Sequence, residues 1–235
     1  MTRTTQPIGQ PIGQHSTLFV MVVALFVTNL LISNVIANKA IELFGYPLQA
    51  ADLIFPISYI MGDVLTEVYG FKRARRVIWI GFGCSFFAMA AIQLGLHLPA
   101  HPDWPDQGAY EAILGNQPRI LAASFTAYLV GEFVNSAVLA KMKVWMAGRH
   151  LWMRTIGSTV LGQGCDTVIF LTIAFYGIWP NELLFAVMYS QWLFKICYEA
   201  LATPITYLVV NKLKRAEGID VYDTDTSFTP FAVRD

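Results

Sequence analysis

Six stretches of mostly apolar residues, at roughly 18–38, 51–69, 76–97, 119–140, 154–177 and 183–211, take up most of this 235-residue chain. A helix needs about 20 residues to cross ~30 Å of hydrocarbon. Inside lipid, every backbone amide must also be satisfied within the spanning structure. The pattern therefore predicts an all-α polytopic membrane protein of six transmembrane helices. The last stretch is long enough to tilt, and Pro204 is expected to kink it.

Basic residues set the expected orientation. Lys72, Arg73, Arg75 and Arg76 fall between the second and third stretches. Lys141, Lys143, Arg149 and Arg154 fall between the fourth and fifth, and Lys212, Lys214 and Arg215 follow the sixth. The connection between the third and fourth instead holds Asp103, Asp106 and Glu111. By the positive-inside rule both termini are expected to be cytoplasmic. Residues 1–17 read as a disordered tail containing a short Gln-Pro-Ile-Gly repeat, with the transmembrane domain at 18–215 and an acidic, mobile tail at 216–235. The first apolar stretch lacks a small-residue cleavage site and reads as a retained span rather than a signal peptide.

Against that apolar background stand six charged residues within the spans: Asp63, Glu67, Glu132, Asp166, Lys195 and Glu199. Each costs roughly 2.5–3.5 kcal/mol at the bilayer centre, where a Leu returns only about 0.3–0.6. Such groups face the bundle interior and mark a substrate or ion path. They also lie in stripes at helical spacing. Tyr59, Asp63 and Glu67 share one face. So do Ser124, Tyr128, Glu132 and Asn135; Thr159, Gln163, Asp166 and Phe170; and Gln191, Lys195 and Glu199.

Several functions are disfavoured. A formal net charge of zero argues against nucleic acid as a partner. Cys84, Cys165 and Cys197 show no metal spacing and predict no disulfide. No His-Glu-x-x-His, Gly-x-Ser-x-Gly or Gly-x-x-x-x-Gly-Lys-[Ser/Thr] pattern occurs, so an intramembrane enzyme or an ATPase has little support, and no cofactor is expected. Five acids against one base suit a proton, a small cation or a neutral ligand rich in N–H donors. Desolvation and mutual repulsion should leave some of these acids protonated.

Placed on these helices, several segments resemble the queuosine precursor transporter family, also called the vitamin uptake transporter family. They are Ser33-Asn34 with Ala37-Asn38-Lys39, and Pro56-x-x-Tyr59-x-x-x-Asp63-x-x-x-Glu67-x-Tyr69-Gly70 leading into Ala74-Arg75-Arg76. Arg119-x-x-x-Ala123-Ser124, Asp166-Thr167 with Phe170, and Lys195 with Pro204 and Tyr207 complete the set, which covers residues 30–210. The resemblance implies a six-helix bundle in the bacterial inner membrane that imports 7-cyano- or 7-aminomethyl-7-deazaguanine. The bundle is similar to the substrate-binding subunits of modular vitamin transporters. A 7-deazaguanine offers adjacent N1–H and N2–H₂ donors that one carboxylate can accept together. The residues expected to hold it are Asp166, Glu132, Lys195, Asn135, Gln163, Asp63, Tyr128, Asn34 and Phe170, with Glu67 and Glu199 in a coupling or structural ion pair. Lys195 has three candidate partners: Glu199 on its own helix, and Asp166 or Glu132 across the bundle. A homodimer, a partner ATPase and another vitamin-like or nucleobase-like substrate stay open.

Overall fold

The computed structural model describes residues 16–231, apart from 37–38, 44–45 and 116–117. It is built from seven α-helices: α1 (Thr17–Ile36), α2 (Phe55–Tyr69), α3 (Phe71–His97), α4 (Gln107–Leu114), α5 (Pro118–Trp145), α6 (Leu151–Phe175) and α7 (Asn181–Glu217). Between α1 and α2 lie a short antiparallel hairpin, β1 (Ala40–Leu43) with β2 (Tyr46–Gln49), and a 3₁₀ turn at Ala50–Leu53. The hairpin departs from the purely helical expectation. Five helices are long and apolar enough to cross a membrane: α1, α3, α5, α6 and α7.

The exception is α2. The stretch 51–69, expected as one full span, is divided between the 3₁₀ turn and a helix of 15 residues. At ~1.5 Å per residue α2 is about 22 Å long, short of the hydrocarbon thickness. Its position explains the departure. Both faces of α2 are buried, from Pro56 and Tyr59 through Asp63 to Glu67 and Tyr69, because α1, α3, α5 and α7 all pack on it. A helix enclosed by protein need not be apolar all round, and non-helical backbone beside it is tolerated at membrane depth. Asn29 of α1 supports that start, donating to the Ile54 carbonyl at 3.0 Å and to Ser58 at 2.7 Å.

Two close approaches fix the rest of the bundle. Gly70, at φ 84°, turns the chain from α2 straight into α3 in a left-handed conformation open to glycine. Gly131 on α5 and Gly162 on α6 face each other. A Cβ at 162 would lie 2.6 Å from Asn135 Cβ, and one at 131 would lie 2.8 Å from Asp166 Cβ. The glycines of the fifth apolar stretch thus serve packing, as small residues do between membrane helices. The helix runs through them unbroken, as α7 runs through Pro204. Arg119 opens α5 by donating to the Ile173 and Tyr176 carbonyls, at 2.5 and 2.7 Å, which closes the exposed end of α6.

The three basic clusters meet at one end of the bundle, called the basic end below. There the C-terminal tail, as far as Phe231, is tied down rather than mobile. After Gly218 ends α7 in a left-handed turn, the chain crosses back to α3. Arg75 of α3 donates to the Ser227 and Thr229 carbonyls, Trp79 donates to Pro230, and Phe228 packs on Phe71 with ring centroids 5.0 Å apart.

Candidate functional site

The buried polar residues sort into two groups. The first sits at the middle of the bundle, where α2, α5, α6 and α7 contribute Asp63, Glu132, Asn135, Gln163, Asp166, Lys195 and Glu199. Each is at most 6% exposed. The helical stripes of the sequence place these side chains on one common interior because the Gly131–Gly162 approach brings α5 and α6 together beside α2.

Within this group Lys195 bonds Asp166 at 2.7 Å and Thr167 at 3.3 Å, so of its three candidate partners it takes Asp166. Its ammonium also lies 5.6 Å from the Phe55 ring centroid. Asn135 donates to Asp63 at 2.6 Å, which fixes its amide and turns its carbonyl oxygen away. Beyond these pairs most acceptors have no donor among the described residues. Both oxygens of Glu132 are in this condition, together with Asp63 Oδ2, Asn135 Oδ1, Gln163 Oε1 and Glu199 Oε1; so are the hydroxyls of Tyr59 and Thr159. Gly62 lies directly against the Glu132 carboxylate, and any Cβ there would overlap it. An unsatisfied buried polar group costs about 1–3 kcal/mol. An array of such oxygens, with its one ammonium already engaged, is complementary to a ligand that brings hydrogen-bond donors.

Other expected residues stand apart. Tyr128 is buried beside Glu132, but its hydroxyl points to the Ile78 carbonyl of α3 at 3.3 Å, closing against Gly81. Phe170 packs edge-on to Phe175 toward the far end of α6. Asn34, half-buried on α1, makes no hydrogen bond to the cluster among the described residues. No group of three or more His, Cys, Asp or Glu that could hold a metal occurs among the described residues.

The second group lies at the basic end around Glu67. Its carboxylate bonds Arg154 of α6 and Lys214 of α7, the latter at 2.6 Å, with Lys143 of α5 at 3.5 Å. Asp220 of the tail joins Lys143 at 2.6 Å and Lys214 at 2.9 Å. Glu67 is therefore paired with bases of α5, α6 and α7. Glu199, named beside it as a candidate for an ion pair, has no cationic partner among the described residues. Lys143, Arg154, Lys214 and Asp220 were not named from sequence as site residues. Of these only Lys143 carried a signal in the sequence, because Glu132, Ser136, Ala140 and Lys143 run down one face of α5. Glu217 extends this closed end by accepting from Ser16, just before α1, and from Tyr69, the latter at 3.2 Å.

A separate apolar groove of about 450 Å³ runs between α2 and α7, lined by Ile57, Ile60, Met61, Val64, Tyr198 and Leu201 among others. It presents no charged group and is distinct from the polar cluster.

The sequence profile of the family described as "Putative vitamin uptake transporter" matches residues 49–209. A Bacillus subtilis (strain 168) protein named "Probable queuosine precursor transporter" is 30% identical over 188 residues, 79% of this chain and 81% of that protein. An Escherichia coli (strain K12) protein named "Queuosine precursor transporter" is 25% identical over 180 residues, 75% and 76% of the two chains. A Haemophilus influenzae protein named "Probable queuosine precursor transporter" is 25% identical over 136 residues, 57% and 54% of the two chains. No solved structure matches this chain. The profile covers the 3₁₀ turn through most of α7, and so takes in every residue of both buried groups except Asp220 and Lys214.

Proposed function

The chain belongs to the vitamin uptake transporter family, and from that premise we propose that it imports queuosine precursors, 7-cyano- or 7-aminomethyl-7-deazaguanine. The observation that carries the reading is the acceptor-rich cluster at mid-bundle. Glu132, with two oxygens that no donor among the described residues reaches, accepts the paired N1–H and N2–H₂ of the base. The Lys195–Asp166 pair and Gln163 stand across from it on α6 and α7 to orient the ring. Buried as they are, these groups meet substrate only when the helices part, as alternating access requires. Uptake of labelled precursor into vesicles, with and without an imposed proton gradient, tests this. Absence of saturable uptake under both conditions would refute the substrate assignment, and a difference between them would identify the coupling.

Two finer points belong to the same proposal. The basic end is cytoplasmic, in the inner membrane of a bacterium, and α2 completes a sixth crossing through the 3₁₀ turn and hairpin that precede it. Single cysteines at Asp106 and Arg149, in a background without Cys84, Cys165 and Cys197, should then label oppositely with an impermeant thiol reagent. Position 106 should react in intact spheroplasts and position 149 only after the membrane is opened. Equal labelling would mean an even number of crossings between them and would sink the orientation.

A further inference from the structure

The C-terminal segment after α7 crosses the whole basic end, and the way it is held differs along its length. On α3 the grip is broad. Arg75 and Trp79 donate to the Ser227, Thr229 and Pro230 carbonyls at 2.8–3.0 Å, Asp223 caps the Phe71 amide at 3.0 Å, and Phe228 covers the Phe71 ring. On α5 and the turn into α6 the grip is narrow. Lys143 bonds Asp220 and the Val221 carbonyl at 2.6 Å each, and its ammonium lies 4.7 Å from the Tyr222 ring centroid. The Tyr222 hydroxyl fits against Gly148, which at φ 74° leaves no room for a side chain. Asp220 is 43% exposed at its side chain, so water and salt weaken its pairs.

From this asymmetry we infer that the segment from Asp220 to Phe231 is a cytoplasmic latch, hinged on α3 and fastened to Lys143 and Gly148, which must release for substrate to leave the mid-bundle cluster toward the cytoplasm. The inference rests on the transporter reading and its orientation. α2 and α3, joined by Gly70 alone, move as one unit, and α5 and α6, locked at Gly131–Gly162, move as another. The latch bridges the two units at the end where they must part. Directly beneath it lie Glu67 and then Thr66, buried on α2 and one turn from Asp63. The segment is freed when Asp220 leaves Lys143 and Lys214, the Val221 carbonyl leaves Lys143 and Tyr222 leaves Gly148, while the hold on Arg75 and Trp79 persists. Glu67 of α2, which also spans the two units through Arg154 and Lys143, is then left as the last bridge between them and must part in its turn.

The test uses full-length protein in oriented vesicles. A cysteine replaces Thr66 in the background lacking the native cysteines, and thiol labelling from the cytoplasmic face is timed. In Asp220→Asn/Tyr222→Ala, labelling should accelerate about tenfold over the intact latch. An unchanged rate overturns the inference. Should that double variant fail to fold, cysteines at Gly148 and Tyr222, in an otherwise intact segment, are bridged with a short, reducible bifunctional thiosulfonate. Precursor uptake should stop on bridging and return on reduction. Uptake that survives the bridge overturns the latch. If the unbridged protein takes up no precursor at all, the substrate reading fails instead, and the labelling rates still decide the latch.

Discussion

The two buried polar groups are built from the same four helices, lie a few turns apart and differ in one respect. Around Glu67 two acids meet three bases, and every charge has a protein partner. At mid-bundle one base meets four acids, and the acceptor oxygens outnumber the donors that reach them. Complete pairing returns much of the desolvation cost, but it also leaves nothing to offer a ligand. Incomplete pairing leaves part of that cost standing in the protein, and a ligand that supplies the donors recovers it on binding. Buried charge in a membrane bundle is thus of two kinds: the satisfied kind closes the protein and the unsatisfied kind recognises something.

Removing a paired charge should be the most damaging change. Glu67→Ala leaves Lys143, Arg154 and Lys214 facing one another in a buried site, and breaking such a pair costs about 3–5 kcal/mol. The variant should melt well below wild type in detergent, or fail to accumulate. A loss under ~1 kcal/mol would break the comparison at its firm end.

Lys195 and Asp166 are the members of the central group whose charges match each other, so this pair should behave like the basic end. Lys195→Met strands Asp166 and should cost toward the lower part of that range, since both side chains keep slight exposure. Lys195→Met/Asp166→Asn should restore the melting temperature without restoring uptake. Recovery of stability with Glu132→Gln or Glu199→Gln instead would assign Lys195 a different partner.

Glu132 should show the opposite balance. Glu132→Gln replaces a carboxyl that no group pairs among the described residues, so stability should change by less than ~1 kcal/mol, while precursor binding weakens at least ~100-fold, about 2.7 kcal/mol. Gly62→Ala sharpens the point, because its methyl displaces the Glu132 carboxylate without altering any polar group. It should weaken binding in the same direction, read by titration of purified protein with precursor. Strong destabilisation by Glu132→Gln with intact binding would move Glu132 to the structural kind.

The helices, their polar faces and the gathering of basic residues at one end were legible in the sequence, since hydropathy and 3.6-residue spacing report burial directly. The division into two groups was not. Arg154 and Lys143 count as loop charges under an orientation rule that looks only at position near a span end. Lys143 does continue the stripe of Glu132, but a stripe says which face is buried and not which atom meets which. The Lys195–Asp166 choice depends on the α6–α7 register, and the departures of Asn34, Phe170 and Tyr128 from the cluster depend on helix rotation. Those are tertiary facts. The short α2 was obscured for a related reason: a 51–69 stretch that is buried by protein needs no helix long enough to meet lipid. Asp220 was hidden in a tail whose polar composition reads as mobile; its anchors, Arg75, Trp79 and Lys143, lie at least 75 residues away.

The smallest effect is expected where the two kinds meet solvent, at Asp220. Partial burial pushes its carboxyl up, but hydrogen bonds and charge from Lys143 and Lys214 outweigh that and hold it below the usual carboxylate value. A carboxyl lowered by folding lends stability that is fully present above its unfolded value, ~3.9, and is lost as pH falls through the folded one. Because Asp220 is exposed and screened, the contribution is modest, about 0.2–1 kcal/mol. The difference in melting temperature between wild type and Asp220→Asn should therefore stay constant from about pH 8 to 5 and shrink toward zero below about pH 4. High salt should narrow it at every pH. Glu67, enclosed by three bases at 1% exposure, should show no such salt dependence in its own variant. A gap at Asp220 that widened on acidification, or that salt left untouched, would place this carboxylate inside the sealed network rather than on the part of the latch that lets go.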